Sequence, residues 1–471
     1  MSSKLLQKLR LSSASEEEAT DFETAIALAG FGTFNVLLVS LSSLSVFATL
    51  FSSTSMSFIL PTAECDLHLD LNEKGLLNGI TFAGMITSTI PWGFAADTIG
   101  RKKVLIAGLL SNAVFVVCCG FSQNVKQLLA FTFFDGLAIC GPYAVTLTYL
   151  SEFHGLKHRR RIIMVFGILT CTSTILLPTI AYAVLPHRLV LKTDYISLNS
   201  WNIFLLITAV VPLLGGILHI FFPPSPKYLM SQGRNNEALK AIATAYAINK
   251  RSTKDAYPIK VLVDEAPERA ERNTLRKNPE YKQNLKTLSG KRKEAITRFR
   301  ENLGQLKPLL SKPYLSLALR VCFTMFFIFM SFHSVRLWMP QLFVTVDQYE
   351  QEHEIMKDIC DVLNVMRDKT QPEESSNCDE VVSVIDNNFL ASSLYLAAMS
   401  VSSNNLFTIE IELFPTFMRA IVILVSLGFG RLGALLGLIK ESFTPQRRYV
   451  PAYTVSVAVI LIYSATQANN Y

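Results

Sequence analysis

The densest chemistry in the chain sits in one run, Gly93-Phe-Ala-Ala-Asp97-Thr-Ile-Gly100-Arg101-Lys102-Lys103. Two glycines let helices approach closely, and an acid beside a tight turn followed by three cations can pair with neighbouring charges and with helix ends. A chance basic stop after an apolar helix would explain Arg101 to Lys103, but not Asp97 and both glycines in register. Elsewhere, Asp135 is a single acid among Phe131, Phe133, Phe134 and Leu137. A carboxylate in such surroundings is costly, so it faces a cavity or a partner, either as a solute-binding or coupling group or as a structural hydrogen-bonding group. Arg431, beside Gly430 and Gly433, is placed to pair with an acid across an interface between helices, whereas Arg320 can snorkel to a membrane surface. Tyr143, Tyr149 and Trp338 either line a pathway or anchor at membrane interfaces. Neither Cys-x-x-Cys nor His-Glu-x-x-His occurs, and no Gly-rich phosphate loop follows a strand, so the sequence points to no metal, no cofactor and no enzyme.

The elements that must position these residues are membrane helices. Half of the 471 residues are hydrophobic and 17% are charged, a balance seldom compatible with an ordinary polar surface. Apolar blocks long enough to cross a hydrocarbon core of roughly 30 Å lie near 36–60, 75–96, 104–121, 127–150, 162–185 and 201–222, with four more near 315–335, 389–409, 418–439 and 450–466. In lipid each such block must satisfy its own backbone hydrogen bonds, which a helix does. The expected fold class is therefore an all-α integral membrane protein of about ten spans, in contact with lipid over most of its surface.

Pro223, Pro224 and Pro226 mark a boundary after six spans, which divides the chain as follows. An N-terminal segment covers 1–35, a six-helix bundle 36–222, a basic loop 223–314, a seventh span 315–340, an acidic loop 341–388 and the remaining spans 389–471. From Lys227 to Lys312 there are 20 Lys/Arg against 9 Asp/Glu, and from Gln341 to Asn388 there are 3 against 12. Cations gather on the cytoplasmic side of membrane proteins, so Arg101 to Lys103 and Lys157 to Arg161 put the N-terminus, the motif and the basic loop in the cytoplasm. Lys440, Arg447 and Arg448 are the exception. The acidic loop then lies outside or in a vesicle lumen. The net charge of +7 follows from this asymmetry, and no nucleic-acid partner is needed. Cys118, Cys119, Cys140, Cys171 and Cys322 sit in apolar spans as small packing residues. Both long loops, 223–314 and 341–388, are candidate docking segments for protein partners.

The 93–103 run resembles the major facilitator signature, and other segments narrow the resemblance to the synaptic vesicle glycoprotein 2 group and its relatives among organic ion and sugar transporters. They are Phe58-Ile-Leu-Pro-Thr-Ala-Glu64, Trp92-Gly93, Tyr149-Leu-Ser-Glu152-Phe153, Val184-Leu-Pro-His187, Pro223-Pro-Ser225-Pro226-Lys227, Lys307-Pro-Leu-Leu-Ser311, Glu412-Leu-Phe-Pro415-Thr416 with Arg419, and Arg431-Leu-Gly433-Ala-Leu-Leu-Gly437. The resemblance implies a major facilitator fold of two helical bundles, in which Gly93, Asp97, Gly100, Arg101 and Lys102 form a cytoplasmic latch and Glu412, Pro415, Arg419 and Arg431 belong to the inner half of the second bundle. It also implies a secondary transporter for a small organic solute, moved by alternating access in the plasma membrane or a vesicle membrane. The alternative is a transporter-like vesicle receptor or trafficking protein that no longer transports.

Departures from that family are specific. Acids expected in span one and an arginine expected early in span four fall at Thr49, Ser52 and Thr132. Glu64 is kept, with a solvated loop position as its simplest reading. Between Asn388 and Phe389 the family's eighth span and most of its ninth have no counterpart, which leaves the second bundle two helices short. Cys360 and Cys378 flank 17 residues of the acidic loop on the oxidising side. They are expected to be linked, and a non-reducing peptide map of protein from native membranes checks it: one cross-linked peptide is expected, and two separately alkylated thiols would refute both the bond and the assigned side.

Overall fold

A computed structural model describes residues 20–263 apart from 188, 193, 195 and 196, together with 314–353 and 419–443. Its helices are α1 (Phe22–Ala29), α2 (Thr33–Leu67), α3 (Leu71–Thr98), α4 (Arg101–Gly120), α5 (Val125–Glu152), α6 (Leu156–Val184), α7 (Ser200–His219), α8 (Pro226–Ser231), α9 (Asn235–Lys250), α10 (Tyr314–His353) and α11 (Arg419–Phe443). A two-stranded hairpin, β1 (Leu191–Lys192) with β2 (Ser197–Leu198), joins α6 to α7. Stretches 33–64, 101–120, 125–152, 156–184, 200–219 and 314–334 are each long and apolar enough to cross a membrane. Helix α3 is as long, but its Gly, Ser, Thr and Asn content lowers its hydropathy, and it is packed against α5, α11, α2 and α4.

Hydroxyl side chains enter these apolar helices by bonding back to their own turns. Ser42 Oγ donates to Leu38 O at 2.8 Å, Thr49 Oγ1 to Ser45 O at 2.9 Å and Ser55 Oγ to Phe51 O at 2.8 Å. Each hydroxyl is thereby satisfied without water. Where helices cross most closely, glycine is required. A Cβ on Gly84 would lie 2.3 Å from Phe133 O, and one on Gly136 would lie 2.2 Å from Thr81 O, so α3 and α5 meet backbone to backbone. The same holds for α11 on α10, where a Cβ on Gly433 would stand 2.1 Å from Phe326 O. Small residues at such crossings let packing replace the missing hydrophobic drive between helices in lipid.

The six expected spans of 36–222 are helices α2 to α7, and the expected spans at 315–335 and 418–439 correspond to α10 and α11. Spans expected at 389–409 and 450–466, the apparent gap at Asn388, and the Cys360 and Cys378 pair lie outside the described residues. Three expectations change. Helix α10 runs on to His353, so the acidic segment begins as helix rather than loop. The expected tail and loop, 1–35 and 223–314, are partly one folded unit: α1 packs on α9 around Phe22, Ile26, Met230, Ile242 and Tyr257, and Thr20 bridges to Leu262. Their apolar residues are too few for a span but enough for a small shared core. Glu64 is not in a loop: it lies in the last turn of α2, where its partly exposed carboxylate pairs with Lys74 Nζ at 2.6 Å.

Asn249 ties this unit to the first span. Its Oδ1 accepts from Phe34 N at 3.0 Å, and its Nδ2 donates to Ala29 O, Gly30 O and Asn35 Oδ1 at 3.2, 3.1 and 2.9 Å. The side chain therefore acts as a helix cap supplied from elsewhere in the chain. Asn249→Ala is expected to lower stability by about 1–2 kcal/mol, as loss of a cap does. Limited proteolysis checks it: cleavage within 20–32 should become faster, while α2 to α7 remain protected.

Candidate functional site

Three polar constellations are positioned by these helices. The first closes one end of the α2 to α7 set. Gly100 holds φ at 103° in the turn from α3 to α4, and a Cβ there would sit 2.7 Å from the Tyr228 ring. Tyr228 OH donates to Thr98 O at 2.8 Å, locking the turn from outside. Arg101 Nε pairs with Glu152 Oε1 at 2.9 Å, with both side chains largely buried. Ser225 Oγ donates to the other Glu152 oxygen and also caps α8 by accepting from Tyr228 N. Lys102 Nζ donates to Ile220 O at 2.9 Å and Tyr149 OH to Pro223 O at 2.5 Å. The described contacts of Arg101 and Lys102 therefore join α4 to α5 and to the α7–α8 connection, all within the first half. Gly93 lies within α3; the side chains of Asp97 and Arg419, and all of Glu412 and Pro415, lie outside the described residues. Glu152, the acid that receives Arg101, is marked in the sequence only as part of the segment Tyr149 to Phe153.

The second constellation centres on Asp135, which is 2% exposed on α5. Ser52 Oγ donates to its Oδ1 at 3.3 Å, and Asn112 Nδ2 donates both to that oxygen and to Ser52 Oγ. Asn112 Oδ1 is buried without a partner among the described residues. Thr132, one turn earlier, donates to Leu128 O at 2.7 Å. Beside Asp135 is a cavity of about 10 Å³, lined by Phe51, Ser52, Ser55, Thr208 and Pro212 among others, with room for about one water. It lies between α2, α4, α5 and α7, inside the first half. Tyr149 is not near it: fully buried at the other constellation, it packs on Phe153 and His219.

The third lies where α10 and α11 pack on α2, α3 and α5. Asn78 Nδ2 donates to Leu337 O at 3.5 Å, and Ser57 Oγ donates to Asn78 Oδ1 at 3.1 Å. His333 is 8% exposed, in edge contact with Phe82 at 4.8 Å between ring centres, and its Nδ1 has no partner among the described residues. Arg336 is 5% exposed, with its guanidinium 5.7 Å from the Phe332 ring centre. Arg431, 8% exposed, donates from Nη1 to Thr89 Oγ1 at 3.0 Å and to Cys140 Sγ at 2.8 Å. It crosses between the halves as expected, but the described partners are a hydroxyl and a thiol rather than an acid, because the α3 and α5 faces opposite it carry none. Tyr143, three residues beyond Cys140 on α5, packs its ring on Phe166 at 5.6 Å between centres. His333 and Arg336 both fall within the segment 315–340 expected as the seventh span, but neither stands out there as a candidate site residue. Their spacing of three on an apolar helix was the available signal. Arg320 is exposed and bonds to Ser316 on its own helix.

Residues 42–355 match the profile of the Major Facilitator Superfamily. The chain belongs to the major facilitator superfamily. It is 30% identical over 240 residues to synaptic vesicle glycoprotein 2B of Mus musculus, covering 50% of this chain and 35% of that protein. To synaptic vesicle glycoprotein 2A of Rattus norvegicus it is 27% identical over 240 residues, covering 50% and 32%. The match thus spans about a third of the length of these relatives. In fold it is similar to the E. coli xylose transporter XylE in a partially occluded inward-open conformation, at TM-score 0.57 and 11% identity over 91% of this chain and 98% of that one. A POT family transporter in complex with 5-aminolevulinic acid gives TM-score 0.52 at 12% identity, over 91% and 95%. This major facilitator chain is thus a multi-pass, all-α membrane protein resembling the synaptic vesicle glycoprotein 2 group, in a family of transporters and not of enzymes.

The Asp135 cluster generates a direct test. Asp135→Asn keeps an acceptor for Ser52 and Asn112, whereas Asp135→Leu leaves two buried donors unpaired, at about 1–3 kcal/mol for each. Thermal unfolding of the purified protein should show Asp135→Asn near the unmodified protein and Asp135→Leu well below it. Equal stability of the two variants would remove the hydrogen-bonding role.

Proposed function

We propose that the chain is a secondary transporter that moves a small organic solute by alternating access, with the solute passing between the first half and the α10–α11 pair. One observation supports this above the others. Buried polar and cationic groups, His333, Arg336, Arg431, Asn78 and Thr89, meet at the seam between the halves, where packing alone would have favoured apolar residues. Polar groups in a membrane interior are costly and therefore tend to serve transport. Two bundles that rock about a midplane site expose such groups to each side in turn. The constellation at Gly100, Arg101 and Glu152 then belongs to the cytoplasmic end, in keeping with the cations clustered there and with an N-terminus in the cytoplasm. In this reading Asp97 closes that end.

A second reading is favoured by a specific feature. Thr49 and Thr132 return their hydroxyls to their own helices, and Ser52 is spent on Asp135, so none of the three is free to bind a solute or ion in this conformation. A chain that has given up those groups could serve in a vesicle or plasma membrane as a receptor or trafficking protein, with 223–314 and 341–388 as its partner-binding segments. Proteoliposome uptake across organic cations, anions and sugars separates the two. Transport predicts saturable uptake of at least one solute, accelerated by the same solute preloaded inside. Uptake equal to that of empty liposomes for every class, from protein that remains folded, would leave only the receptor reading.

A further inference from the structure

Positive charge at the seam has no counterpart among the described residues. Arg336 and Arg431 are both more than nine-tenths buried, and their described contacts are an aromatic ring, a hydroxyl and a thiol. Neither guanidinium meets a carboxylate among the described residues, and the buried acid of α5, Asp135, is occupied inside the first half by Ser52 and Asn112. A guanidinium taken out of water needs charge-assisted hydrogen bonds to offset its lost hydration, and neutral partners do this poorly. His333, one turn from Arg336 on α10, adds a buried ring nitrogen without a partner among the described residues. The patch also has a length. His333 meets α3 at Phe82 and Arg431 meets it at Thr89, seven residues further along the same face, which is about 10 Å along a helix.

We infer that this strip binds an organic anion through carboxylate or phosphoryl oxygens, with Arg336 and Arg431 as its ligands and His333 hydrogen-bonding alongside. Arginine suits the task because its planar fork matches two oxygens of either group and stays charged whatever its surroundings. An apolar body between the anionic ends would rest on Phe82, Phe329 and Phe332, the rings that surround His333. Binding draws Arg431 away from Cys140, since a charged acceptor outcompetes a thiol. This inference gives the transported solute a chemical class, and it rests on the transport reading only for the strip being a solute path; binding itself is measured without transport.

The test uses the full chain in nanodiscs of phosphatidylcholine. Thermal unfolding is followed with benzoate, succinate, citrate and glucose 6-phosphate, and with glucose, choline and tetraethylammonium, at one ionic strength held with sodium chloride. At least one organic anion should raise Tm while the neutral and cationic compounds do not. Arg336→Gln and Arg431→Gln should each raise the concentration needed by about tenfold or more, the usual effect of losing a charged hydrogen bond. A second measurement needs no variant: the alkylation rate of Cys140 by a small maleimide should change when the anion is bound. The inference is overturned if no anion shifts Tm, if only glucose or a cation does, or if both variants respond as the unmodified protein does. It is overturned equally by an unchanged Cys140 rate at saturating anion, or by stabilisation from discs doped with phosphatidylserine and not from any soluble anion. An anion that binds and is never carried into vesicles would refute transport and leave this inference standing.

Discussion

A polar group inside a bilayer has no water to fall back on, and nearly every feature of this structure follows from how each one finds a partner. Backbone amides find theirs within long helices. Ser and Thr hydroxyls return to carbonyls one turn back in α2, as Ser42, Thr49 and Ser55 do. Groups that cannot be satisfied within their own helix, Asp135, Asn112, Glu152 and Arg101, are the ones that bind separate helices together. The buried polar side chains thus specify which helices are neighbours, while the glycines at α3–α5 and α10–α11 set how close those neighbours come.

That logic separates the chain's acids from its cations. Among the described residues the first half holds the pairs Arg101 with Glu152, Lys74 with Glu64 and Arg159 with Glu23, while its buried Asp135 is held by neutral donors. At the seam the cations Arg336 and Arg431 meet only neutral groups among the described residues. Breaking a buried matched pair leaves an uncompensated charge and costs several kcal/mol, on the order of 3–5. A mismatch maintained at a seam therefore stands out against the matched pairs elsewhere. Sites held in a costly state are where binding energy is available to a ligand.

The unit formed by α1, α8 and α9 places a second constraint on the bundle. Asn249 caps the region where α2 begins, and Arg159 at the start of α6 reaches Glu23 in α1. Tyr257 OH donates to Ala25 O at 2.7 Å within the same unit, and burial pushes its phenol well above its ordinary pKa, so it stays a neutral donor. His154, at the turn from α5 to α6, is held below its ordinary pKa chiefly by burial, with its Nδ1 on Leu150 O. The unit thus clamps the same end of α2 and α6 that carries the Arg101–Glu152 pair.

The sequence alone determined the membrane class, the helices of the first half and the place of α10 and α11, because hydrophobic length in a bilayer is a local property, weakest in α3 where small polar residues dilute it. It also located Asp135 and Arg431 as groups needing partners, since an ionisable residue in an apolar run announces its own cost. Partner identity was decided only by tertiary structure. Ser52 and Asn112 are separated from Asp135 by 83 and 23 residues, and Thr89 from Arg431 by 342, and no periodicity encodes such distances. The α1–α9 unit was illegible for a related reason: each piece is too short and too polar to read as an element, and becomes one only when the two bury a shared face. Arg336 lies near the end of the hydrophobic run of the expected span 315–340, where a cation reads as an interfacial anchor; only the continuation of α10 and the packing of α11 against it place that residue inside.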